Sequence, residues 1–398
     1  MSKTALPAGA LSGVRVLDFT SYVAGPYATR LMADMGAEII KLEPPGGDYM
    51  RHGIPRRNGK SPYFAQVNAG KKSISLDLAK PEAIELVFKL LDKSDVVLEN
   101  YRPGVMAKYG LGYEAMKARK PGIIYCSVSG FGQSGPYAGN AAYAPIIHAA
   151  SGWELTKMMS EPELKKPLRN NDGTADYMSA THAMAAISAS LFRRERTGEG
   201  ERIEISMLDV MHNVLAYEYQ EAQNPPKFGR PVFIPIKAKE GFFMIAPLSK
   251  KNYTDLLAAI GKPEWKQKFR LNEKGHFEAW EGLMTAMEEW AKDYTAAEAE
   301  AIISKGGCPV TRYMSMEESM NQPQVAARGS RVDADDGGGP FKMPNTPLRT
   351  LNSTSRAQPL ISEYGQHNAE ILGGLLGVSP AELARLRATG VVLDTMGQ

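Results

Sequence analysis

Asp176 stands in Arg169-Asn-Asn-Asp-Gly-Thr-Ala-Asp-Tyr-Met178, just ahead of an apolar run, residues 178–192, that ends in the basic, glycine-punctuated Arg193-Arg-Glu-Arg-Thr-Gly-Glu-Gly200. A carboxylate so placed has two uses. It can attack an acyl carbonyl and carry the acyl group as an anhydride on its own side chain. It can also sit in the first turn of a helix and accept the free N–H groups there. The residue alone leaves both uses open.

Other polar residues bring their own alternatives. Tyr22-Val-Ala-Gly-Pro26 follows the first apolar run where a dinucleotide fingerprint would carry Gly-x-Gly-x-x-Gly, and that pattern is missing. A glycine ahead of a helix can let N–H groups approach a phosphate or thioester oxygen, or can simply make a tight turn. Arg51, Arg56, Arg57, Lys60, Asn68-Ala-Gly-Lys-Lys72, Asn100-Tyr-Arg-Pro-Gly104 and Lys108 gather cations in the first third. They suit a polyanionic ligand or are solvated surface charges. The histidines at 52, 148, 182, 212, 276 and 367 form no metal-ligand spacing. His148 and His182 lie near the central motif, where a lone histidine is more often structural than a base. Ser129 is not in a Gly-x-Ser-x-Gly elbow.

These residues need a scaffold, and the apolar pattern supplies one. Residues 14–19 read as a buried strand, 27–35 as a helix with Pro26 at its first position, and 37–42 as a second strand. The alternation continues with a helix from Pro81 through Leu91, strands at 95–98 and 122–128, then strand 202–205 and helix 208–218. That is a doubly wound α/β pattern. Prolines at 225, 226, 231 and 235 mark a linker. Beyond it, 241–247 is strand-like, while 253–260 and 276–294 are helical, the latter with Trp280, Leu283, Met284, Met287 and Trp290 on one side. Residues 333–340 read as a loop and 367–376 as a final helix. The expected division is 1–222 for a large domain, 223–328 for a small one with its linkers, and 329–398 for a return to the large domain.

Composition narrows the class. The chain has 398 residues, 43% hydrophobic and 23% charged, with 47 basic and 44 acidic side chains interspersed for a net charge of +3. This balance argues against nucleic acid as the main partner. No apolar run reaches the roughly 20 residues of a membrane span, and the first ten residues lack a secretory core, so a cytoplasmic location is expected. Cys126 and Cys308, far apart, suit a reducing compartment as buried small hydrophobes.

Taken in order, Leu11-Ser-Gly-Val-Arg-Val-Leu-Asp-Phe19 with Ala24-Gly-Pro26, Met35-Gly-Ala-Glu-Ile-Ile-Lys-Leu-Glu-Pro44, Asn68-Ala-Gly-Lys-Lys-Ser73 and Val97-Leu-Glu-Asn-Tyr-Arg-Pro-Gly104 form a series. It continues in Ser129-Gly-Phe-Gly-Gln-Ser-Gly-Pro136, Arg196-Thr-Gly-Glu-Gly200 with Ser206-Met-Leu-Asp209, and Glu363-Tyr-Gly-Gln-His367. The series resembles the family III CoA-transferases of the CaiB/BaiF type, a superfamily that also holds formyl-CoA transferases and an α-methylacyl-CoA racemase branch. The resemblance implies a Rossmann-like large domain, a smaller inserted α+β domain and an interlocked homodimer, or pairing with a homologous subunit. It puts the nucleophile on Asp176, not Asp172, and coenzyme A contacts on Tyr22, Val23, Ala24, Asn68, Lys71, Lys72, Asn100, Tyr101, Lys108 and Met207. Coenzyme A would be substrate, as an acyl thioester exchanged with an organic acid, with no tightly bound cofactor, metal, nucleic acid or membrane. Helix N–H groups beside Asp176 would hold it ionised and aimed.

Departures from the family sharpen the expectation. The racemase branch has a histidine where this chain has Tyr143, which disfavours racemisation because that reaction needs two bases. Val23 and Ala144 replace the Gln and Glu of the oxalate and formyl transferases, and residues 219–247 hold no glycine-rich lid. A more apolar pocket and an acceptor larger than oxalate are expected.

Overall fold

The structure, a computed structural model, describes residues 8–159, 161, 163–169, 171–225, 232–270 and 279–396. Its larger compact unit takes residues from both ends of the chain, up to Tyr219 and from Ala327 onward. Among its described residues β1 (Arg15–Asp18), β2 (Glu38–Glu43), β3 (Lys71–Ser75), β4 (Val96–Glu99), β5 (Ile124–Ser129) and β6 (Glu201–Ser206) form one sheet, ordered β3-β2-β1-β4-β5-β6. Every pairing is parallel. The order reverses between β1 and β4, the switch point at which doubly wound sheets place ligands. The connecting helices are α1 (Ala24–Asp34), α2 (Pro62–Asn68), α3 (Pro81–Asp92), α4 (Val105–Lys108), α5 (Tyr113–Arg119), α6 (Ala144–Ala150), α7 (Trp153–Met159), α8 (Thr174–Thr197) and α9 (Met207–Val214). The expected α/β architecture is present.

Both faces of the sheet are covered, so its central strands are apolar throughout. Successive residues turn to opposite cores. Leu17, Ile40, Val97 and Tyr125 meet α3 through Leu86, Val87, Leu90 and Leu91. Val16, Ile39, Val96, Leu98, Ile124 and Cys126 meet α1, α8 and α9. On that second face Ala28, Ala175, Ala180 and Ala183 are buried, and such small side chains let α1 and α8 lie close.

Several local readings need correction. α1 starts at Ala24, so Pro26 is its third residue. Residues 333–340 are mostly a hairpin, β10 (Arg331–Asp335) with β11 (Pro340–Pro344), whose turn uses Gly337 at φ 84° and Gly339 at φ 100°. The last expected helix is a π-helical turn, Ala369–Leu375. Just before it, His367 Nδ1 and Asn368 Oδ1 accept the N–H groups of Ser73 and Ser75, covering the edge of β3.

After α9 a break at Leu215 leads to α10 (Ala216–Gln223), where a single helix was expected. The smaller unit, Gln220–Ala326, has an antiparallel sheet ordered β7-β8-β9: β7 (Ile236–Lys237), β8 (Phe242–Ile245) and β9 (Val310–Arg312). Its helices are α11 (Lys250–Ala259), α12 (Trp265–Lys268), α13 (Trp280–Ala291), α14 (Ala296–Lys305) and α15 (Met316–Met320), and α16 (Pro323–Ala327) ends it. Phe243, Leu256, Leu283, Met287 and Ile303 are its buried centre. Trp280, Leu283, Met284 and Met287 share the buried face of α13, while the 276–278 part of that expected helix lies outside the described residues. In the larger unit, α17 (Pro380–Ala388) buries Leu383 and Leu386 against the first core.

Candidate active site

Asp176 occupies the third position of α8, inside the first turn. Its helix enters at the carboxyl ends of the strands and runs back to their amino ends, where Arg194 pairs with Asp95 just ahead of β4. Ligands of open α/β sheets bind at that carboxyl edge. Asp176 is half-buried, and among the described residues no donor or cation meets its carboxylate. Burial alone pushes its pKa up to about 6. Tyr177 donates to the Tyr63 hydroxyl at 3.2 Å, and the negative charge of Asp176 raises the pKa of both phenols after their burial has done so. The Tyr177 ring also meets the edge of Tyr27 at 4.8 Å. These contacts join the starts of α1, α2 and α8 around the carboxylate.

The capping role falls to other residues. Asp172 Oδ1 accepts the Thr174 N–H at 2.8 Å and the Thr174 hydroxyl, while its Oδ2 accepts from Trp153 Nε1 at 3.1 Å and Lys157 Nζ at 3.0 Å. Those bonds outweigh burial and hold its pKa well below the carboxylate range. The next N–H, of Ala175, goes to His148 Nε2 at 3.1 Å. Two first-turn N–H groups expected to stabilise the Asp176 anion are thus occupied. Two aspartates four residues apart, one saturated and one bare, have opposite chemistry.

At the switch point Asn100 ties β4 to the loop after β1. Its Oδ1 accepts from Ser21 N at 2.9 Å, and its Nδ2 donates to Ser21 O at 2.8 Å. Tyr22 follows in the left-handed region at φ 65°, stacked on Tyr49 at 5.3 Å and accepting from the Tyr143 hydroxyl at 3.4 Å. Tyr49 and Tyr143 are exposed, 63% and 56%, so this aromatic group rims the carboxyl edge. Gly25 lies in the first turn of α1, not ahead of it, and a Cβ there would come within 2.3 Å of Thr20 Cγ2. Glycine is required where α1 packs against the loop after β1.

The expected coenzyme A residues separate into groups. Tyr22, Asn100 and half-buried Tyr101 gather at the switch point, with buried Val23 and Ala24 starting α1. Lys71 is interior, its ammonium bonding Asp18 Oδ2, Pro26 O and Asn68 Oδ1 at 3.0, 2.9 and 2.8 Å, so Asn68 is buried with it. Burial lowers Lys71 to about 8, against the pull of Asp18. Lys72 pairs with Glu38 at the amino end of β2 and with Glu370. Met207 is buried at the start of α9. Other members of the basic group are also paired: Arg51 with Glu43, Arg57 with Asp336 and Lys60 with Glu363. Neither a polyanionic ligand nor solvation, the two uses read from the sequence, took account of these acidic partners. Lys108, at the end of α4, and Arg102, ahead of that helix, are exposed, and neither has a side-chain partner among the described residues.

Residues 11–368 match the sequence model of CoA-transferase family III. The chain belongs to that family. It is 33% identical to the succinyl-CoA–D-citramalate CoA-transferase of Chloroflexus aurantiacus, over 97% of this chain and 99% of the other. It is 35% identical to the succinate–glutarate CoA-transferase of Agrobacterium fabrum, over 92% and 95%. Among solved structures, a CaiB/BaiF family protein from Brucella suis superposes with TM-score 0.78 at 30% identity, over 92% of this chain and all of that one. Rv3272 of Mycobacterium tuberculosis gives 0.80 at 28%, over 91% and 99%.

This family III CoA-transferase therefore works on coenzyme A thioesters. Among the described residues no cluster of His, Cys, Asp and Glu could hold a metal ion, and no helix is long and apolar enough to cross a membrane. Both cysteines are buried, and burial pushes their thiols up. Sequence reasoning missed Tyr63, Tyr177 and the roles of Asp172 and His148. Asp172, two residues before Thr174, carried a local capping signal; the others are paired only by the fold.

Proposed function

We propose that this enzyme moves coenzyme A from an acyl-CoA donor to a carboxylic acid acceptor by covalent catalysis on Asp176. The bare, half-buried state of that carboxylate beside a saturated Asp172 carries the reading. An Asp176 oxygen attacks the thioester carbonyl, the C–S bond breaks, and the thiolate leaves behind an aspartyl acyl anhydride. The thiolate returns to the aspartyl carbonyl, releasing the donor acid and forming an aspartyl-CoA thioester. The acceptor carboxylate attacks this thioester, and the expelled thiolate then takes the acceptor's acyl group and frees Asp176. Poor hydration of Asp176 raises its nucleophilicity, and excluding water protects the anhydride.

The donor and acceptor we infer are short dicarboxylates larger than oxalate, because the relatives named above act on succinyl, citramalate and glutarate groups. The tyrosine rim and Val23 support an acceptor site with an apolar wall. Tyr22, Val23, Ala24, Asn100 and Tyr101 would then line the path of the pantetheine arm, and Lys108 with Arg102 would meet the phosphates. Roles proposed for Asn68 and Lys71 are indirect, setting the first turn of α1 from beneath, and Met207 would act likewise through α8; Lys72 has the weakest claim. We further infer a cytoplasmic homodimer, which light scattering on the purified protein tests; a monomer would end that reading. Incubation with succinyl-CoA and hydroxylamine should convert Asp176 to its hydroxamate, seen by peptide mass spectrometry. Full turnover with Asp176 unmodified would refute the mechanism.

A further inference from the structure

His148 is 1% exposed on α6, yet it reaches the residue next to the proposed nucleophile. Its Nε2 accepts the Ala175 N–H at 3.1 Å, so that nitrogen carries no proton and a neutral ring holds its hydrogen on Nδ1. Nδ1 is buried without a hydrogen-bond partner, with Glu154 Oε1 at 3.9 Å. We propose that His148 is a positioning residue for the transferase reaction: as a neutral acceptor it fixes the first turn of α8 and so the direction of Asp176, and its protonation releases that turn. This rests on the reading of Asp176 as nucleophile.

The physical reason is a conflict of roles. A protonated imidazole has two donors and no acceptor, so it would turn an N–H toward the N–H of Ala175. It would also put a positive charge at the positive end of α8. Burial accordingly lowers the His148 pKa, opposed by Asp172 and Glu154 and aided by Lys157. Those are the charged groups facing it from α7 and from the segment ahead of α8. Among the described residues α9, which also packs on α6, presents none to it. Asp172 holds the Thr174 N–H and His148 holds that of Ala175, so the turn carrying Asp176 hangs from two side chains. Of the two, the histidine is the one that turns from acceptor to donor when it takes a proton, and burial moves that event to lower pH than for an ordinary imidazole.

The test compares His148→Gln, whose amide oxygen can accept the same N–H, with His148→Leu, which cannot. With succinyl-CoA and glutarate, His148→Leu should lose about tenfold to a hundredfold in kcat with the acyl-CoA KM changed less than about threefold, since small misplacements of a reacting group cost that much. His148→Gln should recover kcat to within about threefold. The acid limb of its kcat/KM profile should fall with one proton where the wild type falls with two. Unchanged kcat in His148→Leu, or equal losses in Leu and Gln, would overturn the proposal. If His148→Leu does not fold, the Gln profile decides alone, and a two-proton limb there refutes it. Hydroxylamine trapping separates the two claims: a wild-type enzyme tagged elsewhere than Asp176 removes the nucleophile, whereas normal tagging with these kinetic failures removes only His148.

Discussion

Replacing Asp176 by Asn keeps the shape of the side chain and removes its charge, and the structure sets what that does to stability. Burial raises the carboxyl from 3.8 to about 6, and among the described residues nothing offsets it. A group whose folded pKa is raised stabilises the fold fully below its unfolded pKa, and loses that contribution as pH rises through the folded value. Roughly two pKa units at about 1.36 kcal/mol each give about 3 kcal/mol at most. Residual water at a half-buried site and a favourable first-turn dipole of about 0.3–1 kcal/mol reduce this to about 2 kcal/mol. Asp176→Asn should therefore gain on the wild type as pH rises from about 4 to about 8, reaching a Tm advantage of about 4 °C. Thermal denaturation of both proteins across that range is the assay. A difference that stays flat with pH would mean that burial does not raise the carboxyl, and a variant less stable than the wild type at pH 8 would mean that Asp176 is a structural capping residue whose charge the fold needs; either refutes the reasoning.

Two further substitutions test the charges beneath the site. Lys71→Met should lower the Tm, because it strips Asp18 of an ion pair at 3.0 Å in the interior, a loss of about 3 kcal/mol. A Lys71→Met enzyme with unchanged Tm and a raised acyl-CoA KM would restore Lys71 as a direct ligand. Arg30→Leu should cost about 3–5 kcal/mol by leaving Asp34 buried and unpaired, its present bond being 2.8 Å, and Arg30→Leu with Asp34→Leu should recover most of it in urea denaturation. Equal losses in the single and double variants would refute that account.

The strands were legible where burial on two faces forces continuous apolar runs, as in Val16-Leu17 and Val96-Val97-Leu98. β3 was not, because Lys71-Lys72 reads as surface charge until Asp18 and Glu38 are known to neutralise it. The same blindness left the paired cations open between a polyanionic ligand and solvated surface charge. At the site, the position of Asp176 near a helix start was readable, since the apolar run begins two residues later. Its lack of partners was not. That depends on Tyr63, 114 residues from Tyr177, and on His148, 27 residues from Ala175. The start of α1 was misplaced for a similar reason: Pro26 lacks an N–H and is tolerated anywhere among the first unpaired helical positions, so it marks the first turn without fixing the first residue.

The strand order is that of a dinucleotide-binding sheet, and the interior explains why the fingerprint for such a ligand is absent. Thr20 fills the space over Gly25, and Asn100 bridges to both the N–H and the carbonyl of Ser21. Below them Asp18 binds Thr20, Thr29 and Lys71, while Lys41 bonds Thr20 O and pairs with Asp48. The first loop is therefore a cross-linked floor, and its polar groups are spent within the chain. The proposed nucleophile sits on another element entering at the same edge, α8, which is held against α1 by alanines. With a rigid floor on one side and a carboxylate without partners on the other, the proposed chemistry at the crevice would depend on how α8 begins. That is why side chains from α6 and the segment before α8, rather than the nucleotide loop, hold Thr174 and Ala175, the two residues between Gly173 and Asp176.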